Sequence, residues 1–192
     1  MKNNMIYLAA GQGRRFGSNK LLWEIEGKPM FAYTLDLLIK ITEERPDYTL
    51  TVVTMYDEIA EYTKNATKLP AVRCIMSPES RQGISFSIKN GIKDLSDNGC
   101  FYTFIVADEP GLTYETLTGF MEGCMASGFL AGVVTHNGAT GNPTMFHGSF
   151  KPALMSLTGD VGGKKLLNEY DGGCFMYEVP DGTELSDIDY KR

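Results

Sequence analysis

The sequence predicts an α/β fold of three layers, αβα, around a mainly parallel mixed sheet. Three observations carry this. Apolar runs of strand length alternate with amphipathic stretches of helical period along most of the 192 residues, the pattern of a sheet covered by helices on both faces. The first run, residues 5–10, is apolar at every position, as a strand buried on both faces must be. Only near residues 136–146 do two strand-like runs follow one another directly, so an antiparallel element is expected there.

The elements follow in order. Residues 5–10 form the first strand, which breaks at Gly11 and Gly13, passes Arg14 and Arg15, meets Gly17 and reaches Lys20. Glycines let the backbone turn sharply and bring its N–H groups close to an anion. The two arginines and Lys20 add charge that offsets a triphosphate. The spacing fits neither the dinucleotide fingerprint nor the Walker loop, because Gly11, Gly13 and Gly17 space as G-x-G-x-x-x-G and Ser18-Asn19 separates Gly17 from Lys20.

Residues 23–29 read as an extended piece and a turn, with Pro29 at the start of a helix. Residues 30–42 carry a helical apolar stripe, 50–54 a β-branched strand, 57–68 a mostly polar helix and 72–76 a third strand. A turn at Pro78 leads into a helix near 83–85. Ser80, Ser85 and Ser87 lie beside that helix start, where hydroxyls and N–H groups either cap the helix or bind an anion or a base edge.

Residues 101–106 are the most hydrophobic strand and end in Ala107-Asp108-Glu109-Pro110. Open α/β sheets bind ligands at the carboxyl ends of their strands. Asp108 is therefore expected to face the glycine-rich loop, with a cation between carboxylate and phosphate. Mg²⁺ suits that place, and Mn²⁺ is an alternative, since one or two carboxylates plus phosphates are its usual ligands.

A helix over 113–127 is capped by Thr113. A strand at 130–135 leads to a hairpin with Asn137-Gly138 as the turn pair. Taken alone, Asn142-Pro143 reads as turn chemistry. Helices are expected over 149–157 and from about Gly163, and a last strand over 174–179. Asp160 and Lys164 flank the later helix start, either as caps or as an anion site.

Bulk properties narrow the function. The formal net charge is −6, which argues against a nucleic-acid surface and makes the basic cluster after the first strand a focused anion site. No apolar run approaches a membrane span of roughly 20 residues, and the N-terminal run is too short for a signal-peptide core. The four cysteines lie far apart with no C-x-x-C, so reduced thiols and a cytoplasmic location are expected. The catalytic inventory lacks a G-x-S-x-G elbow and a histidine cluster. A basic loop with strand-end carboxylates suits phosphorus transfer by positioning and charge stabilisation.

Leu8-Ala9-Ala10-Gly11-Gln-Gly13-Arg14-Arg15-Phe-Gly17-Ser-Asn-Lys20-Leu resembles the opening signature of the nucleotidyltransferases with a Rossmann-like fold. Within them it looks most like the molybdenum cofactor cytidylyltransferases. Further motifs follow in order: Gly83-Ile-Ser85-Phe-Ser87, Ala107-Asp108-Glu109-Pro110-Gly-Leu-Thr113, Gly141-Asn142-Pro143, Gly159-Asp160-Val-Gly-Gly-Lys164 and Asp187-Ile-Asp189. Glu109 stands where the family has Gln.

The resemblance implies one nucleotidyltransferase domain over 1–192, with residues to about 110 as the nucleotide half and 111–192 as the acceptor half. It implies CMP transfer from CTP to the phosphate of molybdopterin with release of pyrophosphate, and a molybdenum hydroxylase as candidate recipient. Arg15, Lys20 and Asp108 are the catalytic expectations. Leu8, Ala9, Ala10, Gly11, Gly13, Arg14, Arg15, Lys20, Ser80, Gly83 and Ser85 are expected at the nucleotide. Asp108 and Asp189 are expected at the metal; a solvated acidic tail is the alternative for Asp189. Asn142, Pro143, Asp160 and Lys164 are expected at the acceptor. The guanylyl branch reads Leu-Ala-Gly-Gly at the loop, so Ala10 favours a pyrimidine. GTP or a sugar phosphate as substrate, or a cofactor-binding protein without catalysis, are the alternatives.

Overall fold

The fold is built outward from β1 (Lys2–Ala9), whose side chains from Asn3 to Ala9 are all buried. Successive residues of a strand point to opposite faces. Met5, Tyr7 and Ala9 enter one core and Ile6 and Leu8 the other. The computed structural model describes residues 1–11 and 19–186. The expected Gly13, Arg14, Arg15, Gly17 and Asp189 lie outside the described residues.

The elements that follow are β2 (Glu24–Ile25), β3 (Lys28–Pro29), α1 (Met30–Glu44), β4 (Tyr48–Thr54), α2 (Asp57–Ala66), β5 (Val72–Met76), α3 (Ile84–Ile92), β6 (Cys100–Val106) and α4 (Tyr114–Ser127). The later part holds β7 (Ala131–His136), β8 (Ala139–His147), α5 (Lys151–Ser156), α6 (Lys164–Glu169) and β9 (Phe175–Glu178). Seven strands form one sheet in the order β5-β4-β1-β6-β8-β7-β9. Every neighbouring pair is parallel except β6–β8 and β7–β8. Thus β8 alone runs against the rest, as the expected hairpin requires. Its turn uses Asn137 at φ +50° and Gly138 at φ +80°, the left-handed pair of a tight hairpin.

One core lies under α1 and α4, with Phe31, Leu35, Leu38, Leu117, Phe120 and Met121 against the sheet; the other joins Ile88 and Ile92 of α3 to Leu154 of α5 and Leu157. The three-layer expectation is met. β1 is longer than its apolar run because Asn3 and Asn4 are buried in it with partners. Asn3 Oδ1 accepts from Thr103 Oγ1 at 2.8 Å, and Asn4 Nδ2 donates to the Phe101 carbonyl at 3.3 Å. Buried polar groups of this kind are tolerated only when paired.

Asn142-Pro143 lies within β8, joined by a cis peptide bond, beside a register shift between Val133 and Thr135. Reading it as turn chemistry is corrected here: the irregularity removes the ladder position where proline lacks a donor. From β1 the chain adds β4 and β5 on one side, then crosses to β6 on the other. The crevice between β1 and β6 is therefore the switch point of the sheet, where α/β folds bind ligands.

Candidate functional site

β1 and β6 pair in register, with Leu8 opposite Val106. Ala10-Gly11 and Ala107-Asp108 therefore leave the same edge of the sheet side by side, tied by Ala107 N–H donating to the Leu8 carbonyl at 3.2 Å. A cavity of about 430 Å³ opens there. Its walls include Leu8, Ala10, Gly11, Lys20, Ser80, Gly83, Ser87, Asp108 and Asp160. Parts of the chain far apart in sequence thus meet where the sheet topology places a ligand.

Each wall is held from behind. Thr54 Oγ1 donates to the Ala9 carbonyl at 2.8 Å, and Tyr56 OH to the Gly11 carbonyl at 2.9 Å. Tyr7 OH donates to the Phe31 carbonyl at 2.6 Å, fixing β1 against α1. Burial pushes the Tyr7 phenol far above its ordinary range, with Asp108 and Asp36 adding to the effect, so this hydroxyl stays a donor. Among the described residues, a Cβ on Gly11 would meet nothing within 4 Å, and Gly11 lines the cavity.

Lys20 sits in a short 3₁₀ turn over Lys20–Leu22, capped by Asn19, whose Oδ1 accepts from Leu21 N–H at 3.1 Å. Its Nζ lies 2.8 Å from Asp108 Oδ2. The lysine side chain is 9% exposed and the aspartate 28%, so the cation is sunk in the wall and the carboxylate is the accessible partner. Glu109 turns the other way. It is buried, and its Oε1 accepts from Asn142 Nδ2 at 3.2 Å. Thr34 Oγ1 donates to the Glu109 carbonyl at 3.0 Å, anchoring this loop to α1.

The start of α3 differs from the anion site expected of it. Ile84 N–H donates to Asp160 Oδ1 at 3.4 Å and Ser85 N–H to the Gly159 carbonyl at 3.2 Å. The groups expected to receive an anion are occupied by the 159–160 loop. Gly83, at φ +129°, permits this approach, since a Cβ there would lie 2.2 Å from the Gly159 oxygen. Asp160 therefore caps α3, not the helix that follows it in sequence.

The expected site residues divide in two. Leu8, Ala10, Gly11, Lys20, Ser80, Gly83, Asp108 and Asp160 share the cavity. Ala9 faces the core under α1, and Ser85 is fully buried off the wall. Asn142 is bonded to Glu109. Lys164 Nζ donates to the Thr140 carbonyl at 3.2 Å, bracing α6 on β8. Sequence reasoning missed the C-terminal contact: Glu184 Oε2 accepts from Thr113 N–H at 3.1 Å and Thr113 Oγ1 at 2.9 Å. A glutamate within a polar tail carries no signal for that.

The donor set fits a hard divalent ion. Asp108 presents carboxylate oxygen to the cavity, and Mg²⁺ or Mn²⁺ completes its shell with phosphate and water oxygens. Among the described residues there is no group of three or more His, Cys, Asp or Glu able to hold a metal alone. An ion at Asp108 would thus need phosphate oxygens as well.

Comparison with known proteins gives one family, two relatives and two solved structures. The profile of the MobA-like NTP transferase domain matches residues 5–173. The purine catabolism protein PucB of Bacillus subtilis is 26% identical over 96% of this chain and 90% of its own length. A probable molybdenum cofactor guanylyltransferase of Pyrococcus horikoshii is 52% identical over a shorter segment, 21% of each chain. Among solved structures, Rv0371c of Mycobacterium tuberculosis superposes with a TM-score of 0.77 at 19% identity, covering 99% of this chain and 94% of that one. A second structure of Rv0371c is a manganese complex, with a TM-score of 0.67 at 18% identity over 93% and 89% of the two chains.

Proposed function

Because the chain belongs to the MobA-like NTP transferase family, we propose that it transfers CMP from CTP to the terminal phosphate of molybdopterin. The observation that carries this is the Lys20–Asp108 pair on the wall of the cavity between the carboxyl ends of β1 and β6. A nucleoside triphosphate lies along Ala10, Gly11 and Lys20, with Arg14 and Arg15 as further phosphate partners. An acceptor phosphate oxygen forms a bond to the α-phosphorus as the bond from that phosphorus to the bridging oxygen breaks. Pyrophosphate leaves with the electron pair.

The residues act by position and charge. Lys20 neutralises charge that shifts onto the leaving oxygen. The Gly11 backbone gives the phosphates a close approach. Asp108, with Asp189 as the proposed second carboxylate, holds Mg²⁺ or Mn²⁺. When bound, such an ion polarises phosphate oxygens and screens their charge. Ser80 and Gly83 bound the nucleotide end and Asp160 the acceptor side. Asn142 acts on the acceptor side through Glu109, with Pro143 setting the local path and Lys164 bracing it.

For the base, Ala10 supports a pyrimidine. Ala10 lines the cavity and is 5% exposed, and a methyl there narrows the space a purine would need. A guanylyl reading is the second one, favoured by the short, closely similar segment shared with the Pyrococcus horikoshii protein. No helix among the described residues is long and apolar enough to cross a membrane. We place the reaction in the cytoplasm, with a molybdenum hydroxylase as recipient of the finished cofactor.

The test is a thermal-shift series with CTP, GTP, ATP and UTP, each with and without Mg²⁺ or Mn²⁺, followed by pyrophosphate release with molybdopterin. A ligand at 100 times its dissociation constant adds about 2.7 kcal/mol of apparent stability. The expected result is a metal-dependent shift with CTP above the others, lost in Asp108→Ala. A GTP preference moves the assignment to guanylyl transfer. Nucleotide binding without pyrophosphate release on any acceptor refutes the catalytic reading.

A further inference from the structure

Behind the cavity wall, a chain of side-chain hydrogen bonds ends on Ser80. Asn90 Nδ2, on α3, donates to Ser77 Oγ at 2.7 Å. Ser77 Oγ lies 2.8 Å from Ser80 Oγ, and Ser87 Oγ donates to Ser80 Oγ at 2.7 Å. Ser77, Ser80 and Ser87 are 0%, 6% and 4% exposed. Ser80 and Ser87 line the cavity, whereas Ser77 and Asn90 do not.

The direction of the chain can be worked out. The same Asn90 nitrogen lies 3.4 Å from Glu79 Oε2. An ionised carboxylate only accepts, so Glu79 fixes which end of the Asn90 amide points this way. Asn90 then donates to Ser77, and the Ser77 proton must go to Ser80. Were Ser80 to donate instead, the fully buried Ser77 proton would have no acceptor among the described residues. Ser80 Oγ thus accepts twice, from Ser77 and from Ser87, which uses both lone pairs of a hydroxyl. Its own proton is left for the cavity. The backbone holds the oxygen in place, because Ser80 N–H donates to the Ser77 carbonyl and Gly83 N–H to the Ser80 carbonyl.

We propose that Ser80 reads a hydrogen-bond acceptor on the nucleobase, a carbonyl oxygen or unprotonated ring nitrogen, and that Asn90 and Ser77 are positioning residues that set its polarity. With its lone pairs occupied, Ser80 cannot accept from an exocyclic amino group, so a base turned to present one is rejected. Hydrogen bonds in such a chain polarise one another and strengthen the final donor. The inference rests on the nucleotide reading of the cavity and deepens it to the base. A phosphate oxygen is the other acceptor chemistry available, and the experiment separates the two.

The experiment measures binding of CTP, GTP and pyrophosphate, each with Mg²⁺, by calorimetry, with no acceptor substrate. The proteins are wild type, Ser80→Ala, Asn90→Ala and the double variant. Ser80→Ala is expected to weaken the preferred nucleotide about ten-fold, the loss of one hydrogen bond, and to leave pyrophosphate unchanged. Asn90→Ala is expected to weaken that nucleotide about three-fold, and to add nothing on top of Ser80→Ala, because it acts through Ser80. Unchanged pyrophosphate binding also shows that each variant is folded. Equal loss of pyrophosphate and nucleotide overturns the base assignment, and additive losses overturn the positioning role. Nucleotide binding indifferent to Ser80→Ala overturns this inference alone; wild type that binds neither CTP nor GTP overturns it together with the proposed function.

Discussion

Lys20 Nζ and Asp108 Oδ2 stand 2.8 Å apart, so the cation after β1 and the carboxylate after β6 neutralise one another on the wall of the cavity. A divalent ion at Asp108 must displace or share that contact. Lys20→Met is therefore expected to bind Mn²⁺ about ten-fold more tightly without nucleotide, since an adjacent positive charge is removed. Turnover should fall by about two orders of magnitude, as for loss of one charge-stabilising donor. Free Mn²⁺ titration by electron paramagnetic resonance and pyrophosphate release check the two parts. Unchanged Mn²⁺ affinity would show that lysine and metal do not compete.

Gly83→Ala should be far more damaging than Gly11→Ala. The first places a Cβ 2.2 Å from the Gly159 oxygen at φ +129°, while the second meets nothing within 4 Å among the described residues. A left-handed position with a backbone clash is expected to cost about 2 kcal/mol or more, a fall in Tm of at least about 4 °C at this size. Scanning fluorimetry on the two variants decides it; equal Tm values would contradict the packing of the 159–160 loop on α3.

Glu184→Ala should loosen the start of α4. The variant removes an acceptor from both Thr113 N–H and Thr113 Oγ1. Hydrogen bonds to a charged group contribute about 1.5–3 kcal/mol. Thr113→Val removes the hydroxyl half of the same contact, so the two substitutions should be less than additive in a denaturant-unfolding cycle.

Stability should decline on the alkaline side. Burial holds the Tyr48 phenol up at about 12, with Glu122 and Asp47 adding to it, and burial followed by the Asp36 carboxylate holds Tyr62 at about 12. The unfolded chain releases these protons near pH 10. A raised folded pKa gives stability that is whole below about pH 10 and lost as pH rises towards 12. Tyr48→Phe should flatten that limb. Urea unfolding between pH 8 and 11.5 measures it; an equally steep limb in the variant would remove Tyr48 as a cause.

The fold was legible because its signals are local. Residues 5–10 are apolar throughout as only a strand buried on both faces needs to be, and Asn137-Gly138 fits a tight hairpin and little else. Asp108 was legible as the polar residue that ends the most hydrophobic strand. What escaped depends on contacts between distant residues. Asn3 and Asn4 look like poor strand formers until Thr103 and the Phe101 carbonyl are placed beside them. Ser85 looked like a ligand residue from its spacing, yet its N–H meets the Gly159 carbonyl and its side chain is sealed from the cavity. Asn90 carried no signal, because a helix-surface amide gains meaning only from Ser77 and Glu79.

The central place of β1 also shapes how the protein is made. Its two flanks are β4 and β6, and β6 does not exist until Val106 has been added. At roughly 5–20 residues per second of synthesis, an apolar strand waits on the order of ten seconds on the ribosome before its second neighbour emerges. During that interval it is a natural target for a nascent-chain chaperone, and slow codons between β1 and β6 would prolong the exposure without altering any residue of the finished protein.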